Sequence, residues 1–292
     1  MKWEGNRQSD NVEDRRDDAG GSMGGGLLGG RSIGIGTLVV ALVGGWILGV
    51  NPLTILGALT GGAPTAQVQQ APAQRPPADD RMASFVSTVL ADTEDVWKDQ
   101  FAKGGASYQE PRLVLFRGVT QTACGQGQAA MGPFYCPSDQ KVYIDLGFYE
   151  TLKTRLGAPG DFAQAYVIAH EVGHHVQNLM GITEKMEQMR GRVSEVAYNR
   201  LSVKLELQAD CFAGVWAHNA QNARQILEQG DIAEAMNAAA KIGDDALQRG
   251  GGGAVVPDSF THGSSAQRQR WFNNGLNHGS VEACDTFSAK NL

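Results

Sequence analysis

The order of elements in the sequence predicts an α+β fold. Two short strand-like runs, Arg112 to Arg117 and Lys141 to Asp145, precede two helical stretches that carry His, Glu and Asp at fixed spacing. A further helical stretch runs from about Asp231 to Arg249. Strands grouped ahead of helices give this layout. Arg81 to Leu292 is long enough for one domain with a full core, and it holds no internal repeat.

Met82 to Phe101 reads as a helix ahead of the strands. Arg112-Leu-Val-Leu-Phe-Arg117 and Lys141-Val-Tyr-Ile-Asp145 are apolar runs of strand length, the second preceded by Gly132-Pro133-Phe134-Tyr135-Cys136-Pro137. Next, Ala165, Ile168, Ala169, Val172, Val176 and Leu179 recur at helical spacing, and Gly181 is placed to end that helix. Leu201, Leu205, Phe212 and Val215 then give a second helical apolar stripe.

The first of these helices carries His170-Glu171-Val172-Gly173-His174. Residues four apart on a helix lie about 40° apart around its axis, so His170 and His174 present their imidazoles side by side. Two imidazoles on one face make half of a tetrahedral zinc site, and Glu171 reaches beside them as a general base. A hydrolytic zinc needs a third protein ligand and one open position. On the second helix Glu206 and Asp210 share a face, with Glu206 as the third ligand. Asp210, one turn on, would accept the free N–H of a ligand histidine and fix its tautomer. Taken alone, such a pair of carboxylates is more simply a solvated surface feature. His175 points about 100° away and reads as a packing or hydrogen-bonding residue, while His218 and His278 have no partner spacing. Gly173 serves either close approach of substrate or strand, or packing against the second helix.

The N-terminal region has a different character. Ile33 to Val50 carries no charge, and after Asn51-Pro52 apolar residues resume to Leu59. About 20 such residues span a bilayer core, so 32–59 is expected to be one transmembrane helix. Lys2, Arg7, Arg15, Arg16 and Arg31 precede it, and the next basic residue is Arg75. The positive-inside rule then makes 1–31 a charged, disordered cytoplasmic leader and puts the C-terminal bulk outside. Residues 60–81, rich in Pro, Ala and Gln, read as a linker to a domain at 82–292. Cys124, Cys136, Cys211 and Cys284 all follow the apolar run and agree with export. Cys124 with Cys136 is the easier pairing, leaving Cys211 with Cys284, although other pairings stay open. The net charge of −6, with no basic run after the apolar segment, disfavours nucleic acid as a partner.

His-Glu-x-x-His followed by Glu-x-x-x-Asp resembles the gluzincin pattern of zinc peptidases. Thr261-His262-Gly263-Ser264-Ser265-Ala266-Gln267-Arg268 resembles the T-H-P-x-x-x-x-R box of membrane gluzincins of the CaaX-prenyl-protease and heat-shock type, with Gly263 in place of Pro. With the opening Trp3-Glu4-Gly5…Arg7-Gln8-Ser9-Asp10-Asn11-Val12-Glu13-Asp14-Arg15-Arg16, most of the chain is similar to the bacterial family of putative neutral zinc metallopeptidases. The likeness omits the linker and the glycine run at Gly250 to Gly253. It implies a zincin-like domain with one zinc ion, a peptide or protein substrate, and a single-pass protein of the bacterial plasma membrane with its catalytic domain periplasmic or extracellular. It also implies roles: His262 as a donor to the oxyanion, Arg268 as an anchor for Asp210 or for a helix end, and 141–145 or its neighbour as an edge strand for substrate. Two other readings compete. One is an inactive member of the fold that binds peptides or envelope partners, and the other is a non-catalytic scaffold. An intact Glu171 argues for catalysis, because a structural zinc site has no use for a base.

Overall fold

The computed structural model of the protein describes residues 1–18, 74–128, 132–154, 157–250 and 254–292. The expected membrane helix at 32–59 and most of the linker lie outside these residues. Among the described residues no helix is long and apolar enough to cross a membrane. In chain order the elements are β1 (Val12–Asp14), α1 (Arg81–Lys103), β2 (Arg112–Phe116), β3 (Val119–Thr122), β4 (Gly125–Gln128), β5 (Phe134–Cys136) and β6 (Lys141–Asp145). Helices α2 (Gly147–Thr154), α3 (Asp161–Leu179), α4 (Ile182–Met189), α5 (Glu195–Arg224), α6 (Asp231–Lys241), α7 (Asp244–Gly250) and α8 (Ser265–His278) follow, with 3₁₀ turns at Pro257–Ser259 and Val281–Cys284. Helix and sheet are mixed, as an α+β fold requires.

The main sheet has the order β1-β2-β6-β5, parallel at β1/β2 and β2/β6 and antiparallel at β5/β6. Leu113, Val114 and Leu115 are all buried, as befits strands covered on both faces. Strand β6 is internal, so Lys141–Asp145 offers no edge. Its neighbour β5 does, and it is one rim of the sheet among the described residues.

The opening segment differs from the disordered leader that its charge suggests. Val12, Glu13 and Asp14 pair in parallel with Leu113, Val114 and Leu115, and Val12 and Glu13 are buried. Charges that read as solvated are instead paired with the domain: Arg7 with Glu94 and Asp95, Arg16 with Asp80, and Glu13 with Arg112 and Lys141. Residues flanking the apolar region therefore belong to one compact unit.

The expected helix from Asp231 to Arg249 is broken into α6 and α7 at Ile242-Gly243. A Cβ on Gly243 would lie 2.5 Å from the backbone nitrogen of Ser265, so the turn packs directly on the start of α8. Two disulfides cross-link the fold: Cys124–Cys136 ties the β3–β4 turn to β5, and Cys211–Cys284 ties the C-terminal turn to α5.

Small residues set how closely the motif helices approach. A Cβ on Gly173 of α3 would meet the Ala209 backbone of α5 at 3.0–3.1 Å, which favours packing as that glycine's role. Where α5 crosses α8, the contact is tighter. A Cβ on Gly214 would lie 2.1 Å from the Phe272 carbonyl oxygen, and one on Gly275 would lie 1.9 Å from that of Cys211. Neither backbone can yield without parting the helices. Gly275→Ala is therefore expected to cost about 3 kcal/mol or more, despite alanine's better helix propensity of roughly 1 kcal/mol. A chemical-denaturation midpoint equal to wild type would contradict this packing.

Candidate metal centre

The apolar stripe of α3 (Ala165, Ile168, Ala169, Val172, Val176) is fully buried, and this fixes which way the opposite face of the helix looks. That face carries His170 and His174, whose rings stand edge to face with centroids 4.8 Å apart. Helix α5 packs beside it and brings Glu206 between them. His170 Nε2 lies 3.2 Å from Glu206 Oε2, and His174 Nε2 lies 3.5 Å from Oε1. One ligand atom from each of the three residues falls within 4.8 Å of the others, so the set could hold a metal ion. The donor set fits zinc: two imidazoles and a carboxylate, with a fourth tetrahedral position left over.

The outer nitrogens of both rings are occupied. His170 Nδ1–H donates to Asp210 Oδ1 at 2.9 Å, and His174 Nδ1–H donates to Gln177 Oε1 at 2.9 Å. Each ring is thereby turned to offer Nε2 to the shared point. Gln177 is in turn held by its own donations to Leu205 O and Gln208 Oε1. Asp210 is fully buried and takes hydrogen bonds from Tyr166 at 2.5 Å and from Arg268 Nε and Nη2, both at 2.9 Å. Arg268 thus grips Asp210 with its guanidinium fork and touches the Tyr166 hydroxyl as well. Its remaining nitrogen reaches the Ile242 carbonyl.

Charge in the centre favours a cation. Burial works against the carboxylate of Glu206, but His174 and His170 outweigh it and hold that group well below the ordinary range. For Asp210, burial is likewise outweighed by Arg268 and then His170. Burial alone would lower His170, yet Asp210 and Glu206 push it up to about 10. Protons and metal therefore compete for the same point, and metal binding must displace the protons. Glu171 is buried, and burial raises its carboxyl above the ordinary value, despite the opposing pull of His174 and His170. It lines a cleft of about 780 Å³ together with His170, His174, Glu206 and His262.

His262 is carried on a loop held by Asp244, the first residue of α7. The carboxylate accepts backbone N–H groups of Thr261, His262 and Gly263, and the imidazole Nδ1 of His262 at 3.1 Å. Gly263 has φ +92° and donates its N–H to Asp244. Proline offers neither, which accounts for glycine at this position of the box. Asp244 raises His262 above its ordinary 6.5, against the burial that lowers it. Since Nδ1–H is committed to Asp244, only the imidazolium can donate from Nε2 into the cleft. Asp244→Asn is therefore expected to lower the pH at which His262 titrates, as read from its imidazole resonances by NMR. The same bond links stability to pH. It is fully present below 6.5 and is lost as pH rises through the raised folded value. An unchanged titration of His262 in Asp244→Asn would contradict this pairing.

His175 is fully buried with its ring edge-on to Tyr108 and Tyr135. Burial lowers its pKa, so the neutral ring donates from Nε2 to the Gln109 carbonyl and accepts the Tyr135 hydroxyl at Nδ1. Asn178 donates to the same hydroxyl, and these bonds strap edge strand β5 to α3. Gln177, Tyr166 and Asp244 are not singled out by sequence reasoning. Gln177 sits one turn past His174 and carries a faint local signal. Asp244 lies 18 residues from His262 and carries none.

The family model described as "Putative neutral zinc metallopeptidase" matches residues 1–287. Uncharacterized protein YpfJ of Escherichia coli K12 is 54% identical over 291 residues, 98% of this chain and 99% of its own length. Uncharacterized protein Rv2575 of Mycobacterium tuberculosis is 42% identical over 208 residues, 68% of each chain. No solved structure matches the chain. With a family match running almost end to end and a 54% identical relative covered over 99% of its length, the chain belongs to the putative neutral zinc metallopeptidase family.

Proposed function

We propose that the protein is a zinc-dependent endopeptidase with a zincin-like domain, attached to a bacterial membrane through residues 32–59 and acting on peptide or protein substrates. The observation that carries this reading is the convergence of His170, His174 and Glu206 within 4.8 Å, with Glu171 on the wall of the same cleft. Three ligands and a neighbouring base suit hydrolysis, whereas a structural zinc site is closed by four protein ligands. Bound zinc would supply Lewis acidity toward the peptide carbonyl and lower the pKa of water in the cleft to roughly 7. Glu171 takes the proton of the attacking water and passes it to the leaving amine. His262 donates from Nε2 to the developing oxyanion. Asp210 and Gln177 hold the two imidazoles, and Arg268 holds Asp210. Strand β5, strapped to the motif helix, offers its edge to the substrate backbone.

The test is cleavage of an unfolded protein by the purified full chain, with metal content measured on the same sample. One zinc per chain is expected, with cleavage that a chelator abolishes and added zinc restores. A sample that holds zinc and cleaves nothing would sink the catalytic reading. One that binds no zinc would sink the metal assignment too.

A further inference from the structure

We infer that the opening segment and the peptidase domain lie on the same face of the membrane, because Asp14 and Gln74, on either side of the apolar region, are held together. The membrane attachment rests on the function proposed above. The topology rests on hydrogen bonds that join the two flanks of that region.

Those flanks are in direct contact. The backbone N–H of Asp14 donates to the Gln74 carbonyl at 2.7 Å, Arg75 pairs with Asp10 at 3.2 Å, and Arg16 pairs with Asp80, the N-cap of α1. A single crossing that put the two stretches on opposite faces would separate them by about 30 Å of hydrocarbon. Strand partners lie only about 4.8 Å apart. The two arrangements exclude each other.

The charged motif explains why the contact is not incidental. Glu94 of α1 is 1% exposed, and its partners are Arg7, Ser9 and Asn11. Glu13 is buried and is matched by Arg15, Arg112 and Lys141. Leu113 donates its N–H to the Asn11 carbonyl, Arg15 donates its own to the Leu115 carbonyl, and Trp3 packs edge-on against Phe85. Remove residues 1–18 to another compartment, and Glu94 loses all three of these hydrogen-bond partners while β2 loses its neighbour. Three of the four arginines counted by the positive-inside rule are also accounted for, since Arg7, Arg15 and Arg16 each pair with a carboxylate of the same body, while Arg31 lies outside the described residues. Their positions reflect folding and give no vote on orientation. The disulfides Cys124–Cys136 and Cys211–Cys284, in that same body, fit an oxidising compartment and point to the outer face.

The experiment uses the full chain in intact cells with one added thiol, Gln8→Cys in one variant and Lys290→Cys in another, both at exposed positions. A membrane-impermeant maleimide is expected to label both variants to a similar extent before permeabilisation. Labelling of neither until the cells are opened also supports a shared face and places it in the cytoplasm. Labelling of one with protection of the other overturns the inference and leaves the peptidase reading intact. Amide exchange supplies a second readout. The N–H groups of Val12 to Asp14 should be protected in the full chain, and exchange at unfolded rates there overturns the pairing on which the topology depends.

Discussion

Glu171→Gln is expected to keep its zinc and its fold while losing on the order of 10²–10⁴ in kcat for peptide hydrolysis. The substitution is nearly isosteric, and it touches none of the ligand atoms contributed by His170, His174 and Glu206. An amide at this buried position has no pKa in reach of neutrality, so it cannot accept a proton from water or deliver one to an amine. Stability should not fall. Burial raises the wild-type carboxyl, which means the site disfavours the charge that the substitution removes. The lost rate would thus belong to the chemistry and not to misfolding. The measurement pairs zinc stoichiometry and thermal melting with cleavage of an unfolded protein. Hydrolysis retained at the wild-type rate would remove Glu171 from the mechanism, whatever the metal content.

How much of the fold and site is legible in the chain depends on whether a residue's partners are local. His170, Glu171 and His174 sit within one helical turn, so periodicity alone aligns them. Glu206 and Asp210 share a second turn, and the same periodicity puts both on one face. The orienting hydrogen bonds from Tyr166 and Gln177 join α3 to α5 or lie across a turn, and a helical stripe does not report them. Asp244 leaves no mark in the sequence because its four acceptor contacts reach a loop far along the chain, and it stands just past the break in the predicted 231–249 helix. The opening segment misleads for a related reason. A dense mix of charges looks solvated when each is read alone, and only the parallel pairing of 12–14 with 113–115 shows that the opposite charges come from α1 and β6. Strand order is equally hidden. Lys141–Asp145 has the more strand-like sequence, yet the three-residue β5 occupies the rim, because β1 and β2 stack on the other side of β6.

Arg268→Leu should destabilise the protein by about 3–5 kcal/mol, because it strands Asp210 as a buried carboxylate without its counter-charge. Asp210 is fully buried, Arg268 is 2% exposed, and the guanidinium supplies two hydrogen bonds of 2.9 Å. The melting temperature should fall by roughly 10 °C for a domain of this size. Zinc affinity should weaken as well, by roughly 10–100-fold, since Asp210 fixes the tautomer of His170. Arg268→Lys keeps the charge and loses the fork, so it should fall between. The pH dependence has a definite sign. Asp210 is depressed in the fold, so its contribution is present above its ordinary 3.8 and is lost as pH falls through the depressed value. The deficit of Arg268→Leu relative to wild type should therefore be largest above 3.8 and should narrow as pH falls and Asp210 becomes protonated. The double variant Arg268→Leu/Asp210→Asn separates charge pairing from mere packing. With no carboxylate left to strand, it should recover a substantial part of the stability lost in Arg268→Leu while zinc affinity stays weak, because an uncharged amide is the poorer partner for His170. Strict additivity of the two single substitutions in urea denaturation would mean that the pair is not coupled. In that case the grip of α8 on α5 would rest on other contacts, such as the packing at Gly214 and Gly275.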